Sequence, residues 1–88
     1  MKVEFFYTHN CKRCPMYKNI VRQVVVSLEE KGLPIELEEI DCETAPSRAA
    51  AFRIMAVPAV AIGGRLAFVM DFDKTELEEA ILEGLKET

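Results

Sequence analysis

Two cysteines separated by two residues are the side chains of this sequence best suited to chemistry. Cys11 and Cys14 enclose Lys12 and Arg13, and Pro15 follows directly. A pair at this spacing can form a redox-active disulfide, supply half of a metal site, or lie in the interior as two inert thiols. Neighbouring cations stabilise the thiolate, which is the form of cysteine that attacks disulfides. The elements that position the pair have to decide among these three interpretations.

Composition and charge narrow the class of protein. The chain has 88 residues, of which 50% are hydrophobic and 30% are charged, so we expect one folded domain covering residues 1–88. Its net charge is −4, and its cationic residues are spread thinly outside Lys12 and Arg13, which argues against a nucleic-acid partner. The odd count of three cysteines favours a reducing compartment.

The sequence has no segment typical of a membrane protein or of a secretory leader. The longest apolar run, residues 56–62, contains a proline and is far shorter than the roughly 20 residues of a transmembrane helix. The opening residues, MKVEFFYTHN, include an early glutamate and no apolar stretch of signal-peptide length. We therefore expect a cytoplasmic protein without a membrane partner.

Hydrophobic spacing predicts the elements in the first half of the chain. Residues 2–8 are rich in aromatic and β-branched side chains, which is typical of a buried strand. Over residues 15–28 the apolar side chains recur every three or four positions, which predicts an amphipathic helix. A shorter strand is expected over residues 34–41, and a short alanine-rich helix, opened by Thr44, over residues 44–54.

The second half predicts a hairpin and a closing helix. In the stretch PAVAIGGRLAFV, two apolar runs flank a glycine pair, which is the chemistry of a tight hairpin turn. A capping box then opens the last helix, and it can be formed either by Thr75 with Glu78 or by Asp73 with Glu76. The predicted fold class is therefore α/β, with the order β-α-β-α-β-β-α.

This order places the cysteine pair at a reactive edge of the sheet. A strand-helix-strand crossover makes the first two strands parallel, and the hairpin adds antiparallel strands to give a four-stranded mixed sheet flanked by helices. Cys11 and Cys14 follow the first strand, where the free N–H groups of a helix start stabilise a thiolate. We expect Cys11 to attack a disulfide and Cys14 to resolve the resulting mixed disulfide.

The motif YTHNCKRCP, followed later by AVPAV and a Gly-Gly hairpin, resembles the thioredoxin and glutaredoxin superfamily. FRIMAVPAVAIGGR in particular is similar to small archaeal thioredoxin-like proteins and protein disulfide oxidoreductase modules. The resemblance implies a thioredoxin-like fold and a dithiol–disulfide oxidoreductase whose redox-active disulfide, Cys11–Cys14, replaces any cofactor. It also implies protein disulfides as substrates, a thioredoxin-reductase-type electron donor and a monomer. It further implies a cis Val57-Pro58 bond beside the cysteines, with the Val57 backbone pairing the substrate chain.

Three positions depart from the family pattern. Many thioredoxins carry a buried acid six residues before the first cysteine, where this chain has Phe5, so the proton acceptor for Cys14 stays unassigned. Lys12 and Arg13 replace the Gly-Pro of thioredoxins, and we expect them to modulate the pair towards a more oxidising potential. The stretch FVMDFDKT lacks the second Gly-Gly of glutaredoxins, and a glutathione-linked glutaredoxin remains the alternative.

A metal site is the alternative from another class. His9, Cys11, Cys14 and Cys42 together supply one nitrogen and three sulfurs, which is a possible zinc ligand set. The chain has no second tight cysteine pair, and His9 lies only two residues before Cys11. We therefore expect no metal, an incidental role for His9 and a half-buried thiol at Cys42.

Overall fold

The computed structural model describes residues 1–87, which form four strands and three helices. In chain order these are β1 (Lys2–Tyr7), α1 (Cys14–Glu30), β2 (Glu36–Asp41), α2 (Pro46–Ala51), β3 (Ala59–Ile62), β4 (Arg65–Val69) and α3 (Lys74–Lys86). This is the predicted order of elements, although the predicted domain extends one residue further, to Thr88, which lies outside the described part.

The four strands form one mixed sheet in the order β2-β1-β3-β4. β1 is parallel to β2, in a register that runs from Lys2 opposite Glu36 to Tyr7 opposite Asp41. β3 is antiparallel to β1, and β4 is antiparallel to β3. The prediction of a parallel central pair with an added hairpin is confirmed. Because β1 and β2 end side by side, the loops that follow them share one edge of the sheet.

The sheet is packed between two apolar layers because successive strand residues point to opposite faces. Phe5 is fully buried in the core formed with α1 and α3. Its neighbour Phe6 is fully buried in the smaller core on the α2 side, against Ala49. The predicted burial of the first strand is confirmed, and Cys14 at the start of α1 is anchored on the larger core by that helix.

Charged side chains fasten α2 to the sheet. Glu4, the buried charged residue of the described chain, accepts a hydrogen bond of 2.7 Å from Arg48 on α2. Arg48 also donates two bonds of 2.8 Å to Glu38, and together with Lys2 it lowers the pKa of Glu38 to about 2. Removing Arg48 would leave the buried carboxylate of Glu4 without its countercharge.

The start of α2 differs from the sequence expectation, whereas α3 begins with one of the two capping boxes that the sequence predicted. α2 is six residues long and its N-cap residue is Ala45, because the Thr44 hydroxyl donates to the Asp41 carbonyl in the preceding turn instead. α3 is opened by Asp73, whose side chain accepts from the Glu76 N–H while Glu76 accepts from the Asp73 N–H. Thr75 therefore lies inside the helix. Within residues 1–87 no helix is both long and apolar enough to cross a membrane.

Candidate active site

The cysteine pair lies at the junction between β1 and α1. Cys11 is in the connecting loop and Cys14 is the first residue of α1, and the two are joined as a disulfide with their Cα atoms 5.4 Å apart. Cys14 is only 2% exposed, whereas Cys11 is half-buried. Cys11 is therefore the more accessible of the two cysteines.

The first turn of α1 directs an N–H group at this sulfur. No side chain caps the helix at Arg13, and the Cys14 N–H instead lies 3.1 Å from Cys11 Sγ, within bonding distance. Helix starts carry unpaired N–H groups and a partial positive charge, which favour an anion. A donor in this position would favour a thiolate at Cys11 once the disulfide is reduced.

The loop before β3 covers the other side of Cys11. Its Val57-Pro58 peptide bond is cis, as the resemblance implied, and the Val57 carbonyl oxygen lies 3.9 Å from Cys11 Sγ. The Pro58 carbonyl accepts a bond of 2.7 Å from the Met70 N–H in the loop after β4. The backbone at Val57 is thus held directly beside the accessible sulfur.

A second contact joins the cysteine turn to the loop before α3. The Arg13 guanidinium lies over the Tyr17 ring, 5.6 Å from its centroid, and donates to the Tyr17 hydroxyl at 3.3 Å. That hydroxyl donates to Asp71, which lies 3.9 Å from Arg13. Sequence reasoning did not identify Tyr17 or Asp71, although Tyr17 is four positions after Arg13, a spacing at which helix side chains meet.

A small cavity opens beside the cysteines on the β1 side. It measures about 160 Å³ and is lined by Tyr7, Thr8, His9, Cys11, Cys14, Pro15 and Lys18. His9 Nε2 lies 2.8 Å from Asp41 Oδ2, so its imidazole is paired with a carboxylate at the end of β2. The sequence had left His9 without a role, because nothing local indicates that Asp41 is its neighbour.

The four residues of the alternative zinc site are not brought together as a ligand set. In residues 1–87 no three histidine, cysteine, aspartate or glutamate side chains lie close enough to hold a metal ion. Cys42 is a free, half-buried thiol that lines a separate cavity of about 730 Å³ beside α2. Burial, followed by the negative charge of Asp41, raises the pKa of the Cys42 thiol. Nothing in this geometry favours the zinc interpretation.

Comparisons with known proteins point to one family. A family model described as a thioredoxin domain matches residues 1–82. A probable thioredoxin of Methanothermobacter marburgensis is 35% identical over 86 residues, which cover 98% of each chain. The thioredoxin of Methanocaldococcus jannaschii is 33% identical over 85 residues, which cover 97% of this chain and 96% of the relative.

The fold is also that of solved thioredoxins. Thioredoxin 1 from Thermosipho africanus superposes with a TM-score of 0.78 at 24% identity, over 99% of this chain and 97% of that one. The predicted thioredoxin-like fold is confirmed. Together with the Cys11–Cys14 pair, these relatives make the protein a dithiol–disulfide oxidoreductase, in a family that acts on disulfide-containing substrates and takes electrons from reductases. The chain belongs to the thioredoxin family.

Proposed function

We propose that this chain reduces protein disulfides with Cys11 as the attacking cysteine and Cys14 as the resolving one. The observation that supports these roles is the difference between the two sulfurs. Cys11 is accessible and receives the Cys14 N–H at 3.1 Å, whereas Cys14 is buried beneath it. An accessible, stabilised thiolate is suited to the first attack, and an enclosed thiol is suited to an intramolecular second attack.

The cycle then has two exchange steps. The Cys11 thiolate attacks one sulfur of the substrate disulfide, forming a Cys11–substrate bond and releasing the second substrate sulfur as a thiolate that takes up a proton. Cys14 loses its proton and attacks Cys11 Sγ, which closes the Cys11–Cys14 disulfide and releases the other substrate sulfur. Two electrons have passed to the substrate, and an external dithiol reductant returns two electrons to the pair.

Val57 and Pro58 are proposed to bind the substrate. Because the Val57 backbone lies beside Cys11, an extended substrate segment that reaches the sulfur passes within reach of its peptide groups and can pair with them as an added strand does. Met55, which is 95% exposed, precedes this loop, and Met70 is bonded to Pro58 through its backbone. Methionine side chains adapt to differently shaped apolar partners, which suits several protein substrates.

Lys12 and Arg13 are proposed to modulate the pair. Both are exposed cations between the cysteines, and positive charge near Cys11 favours the thiolate over the thiol. Because that stabilises the reduced form, it makes the disulfide more oxidising. Arg13 is held in place by the Tyr17 ring, so its charge stays close to the turn that carries both sulfurs.

The remaining proposals concern partners and location. We infer that residues 1–88 act as one monomeric, cytoplasmic domain that needs no cofactor or metal and takes electrons from a thioredoxin-reductase-type donor. The odd cysteine count argues against a disulfide scaffold, and the net charge of −4 argues against a nucleic-acid partner. Met70 and Asp71 occupy the loop before α3, where glutaredoxins have the second glycine pair, which favours a protein donor over glutathione.

Cysteine variants test the two roles directly. Turnover is measured on a protein disulfide with a regenerating dithiol, and covalent products are separated and weighed by mass spectrometry. Cys11→Ser is expected to abolish turnover, whereas Cys14→Ser is expected to lose turnover and accumulate a mixed disulfide with the substrate. The matched control Cys42→Ser is expected to retain turnover. Normal turnover by Cys14→Ser would show that the dithiol cycle is wrong.

A further inference from the structure

The buried thiol of Cys14 has to lose a proton before it can attack Cys11. A thiolate, not a thiol, is the nucleophile in disulfide exchange, and Cys14 is nearly inaccessible to bulk water. On β1, the side chain directed to the same core is Phe5, which has no acceptor atom. Glu4 points to the opposite face and is bonded to Arg48. Neither of these side chains of β1 can therefore serve as the acceptor.

The cavity beside the pair provides a route to one. Cys14 and His9 both line this space of about 160 Å³, and a water molecule in the liquid occupies about 30 Å³, so a few waters fit between them. Lys18, which lines it as well, lies 3.8 Å from the centroid of the Tyr7 ring. A lysine ammonium has no acceptor atom, and a neutral phenol is a far weaker base than an imidazole. The imidazole of His9 is the suitable acceptor in this cavity.

Asp41 determines which nitrogen of that imidazole is free to accept a proton. The Asp41 side chain is only 10% exposed, and its Oδ2 lies 2.8 Å from His9 Nε2. Its other oxygen accepts the Glu43 N–H at 2.8 Å, so the carboxylate is held from both sides. In a neutral imidazole whose Nε2–H donates to a carboxylate, Nδ1 keeps the free lone pair. The same carboxylate stabilises the imidazolium once Nδ1 has taken a proton.

The charged groups around His9 are few. Asp41 contacts its ring, while Glu43 accepts only the backbone N–H of His9, at 3.2 Å. Lys18 shares the cavity, and the Tyr7 ring meets the imidazole edge-on at 6.3 Å between centroids. Asp41 is thus the one carboxylate of the described chain that pairs with the imidazole.

We propose that His9, held by Asp41, accepts the Cys14 proton through water in this cavity while the mixed disulfide is resolved. The Cys14 S–H bond breaks and the proton passes through water to His9 Nδ1. The thiolate attacks Cys11 Sγ, the Cys11–substrate bond breaks, and the released substrate thiolate takes a proton, which returns the imidazole to its neutral form. His9 acts through water, so it is a positioning and proton-relay residue. The inference rests on the cysteine roles proposed above.

The experiment separates the two exchange steps. Reduced protein is mixed in a stopped-flow instrument with an aromatic disulfide whose thiol product is coloured. The first release reports the attack by Cys11, and the second release reports the attack by Cys14. In His9→Gln the ratio of the second rate to the first is expected to fall about ten-fold or more at neutral pH. Free imidazole in the buffer is expected to restore the ratio in this variant.

Two acid-to-amide variants on one turn provide the matched comparison. Asp41→Asn is expected to lower the ratio, because the imidazolium loses its countercharge, whereas Glu43→Gln is expected to retain it. An unchanged ratio in His9→Gln, a fall that imidazole does not reverse, or an equal fall in both acid-to-amide variants would overturn the proposal. Loss of the first release in the wild-type protein would instead refute the role of Cys11, so the two failures are distinguishable.

Discussion

Replacing Tyr17 by phenylalanine removes the hydroxyl group that joins the cysteine turn to the loop before α3. The hydroxyl donates to Asp71 and accepts from Arg13. Phenylalanine keeps the ring, which contacts Phe72 at 4.9 Å between centroids and lies beneath the Arg13 guanidinium. The substitution therefore isolates the two hydrogen bonds from the packing of the side chain.

The magnitude follows from the exposure of the partners. A hydrogen bond to a charged group contributes about 1.5–3 kcal/mol. The Asp71 side chain is 80% exposed, so in the variant water solvates the carboxylate and recovers much of this energy. The bond from Arg13 is long, at 3.3 Å, and the Arg13 side chain is 49% exposed. We expect Tyr17→Phe to lower the free energy of unfolding by about 1 kcal/mol, which for a domain of this size lowers Tm by about 4–8 °C.

A double-mutant cycle with Asp71→Ala, which removes the acceptor, tests whether the contact is the cause. Urea unfolding of the oxidised wild type, Tyr17→Phe, Asp71→Ala and the double variant gives four free energies of unfolding. If the hydroxyl and the carboxylate interact directly, the sum of the two single losses in free energy of unfolding exceeds the loss in the double variant by about 0.5 kcal/mol or more. Additive losses, within about 0.3 kcal/mol, would refute the direct link.

Two further predictions concern the start of α3 and the free thiol. Asp73→Ala removes a bonded N-cap and is expected to lower the free energy of unfolding by about 1 kcal/mol, whereas Thr75→Ala, inside the helix, changes it little; equal losses in urea unfolding would contradict the observed cap. Burial and Asp41 raise the pKa of Cys42, so less of its thiolate is present at neutral pH than for an ordinary cysteine. The rate at which iodoacetamide alkylates Cys42, followed by mass spectrometry, is therefore expected to be lower than the rate for Cys11 and to increase as the pH is raised. A Cys42 that is alkylated first would contradict this order.

Some parts of the site could be predicted because their signals are local. The spacing of Cys11 and Cys14 and the helix pattern directly after them place both sulfurs at one helix start. The glycine pair between two short apolar runs similarly specifies a hairpin, since only a tight turn joins strands so closely. The cis Val57-Pro58 bond was implied by the family resemblance, because neither neighbouring residue indicates it.

Other parts could not be predicted because they join segments distant in the chain. Tyr17 and Asp71 are 54 positions apart, and no local pattern on either side points to the other. The partner of His9 depends on the register between β1 and β2, which places Tyr7 opposite Asp41. His9, two residues after the end of β1, therefore lies beside Asp41, the last residue of β2.

The amino-acid sequence by itself determined the order of the elements, the mixed sheet and the position of the cysteine pair at the end of β1. These follow from hydrophobic periodicity and turn chemistry, which act over a few residues. The tertiary structure alone decided which of two equivalent capping boxes forms, and that His9 pairs with Asp41 instead of joining Cys42 in a ligand set. Those choices depend on strand register and on packing between elements, where the free-energy differences arise from contacts that no short stretch of sequence contains.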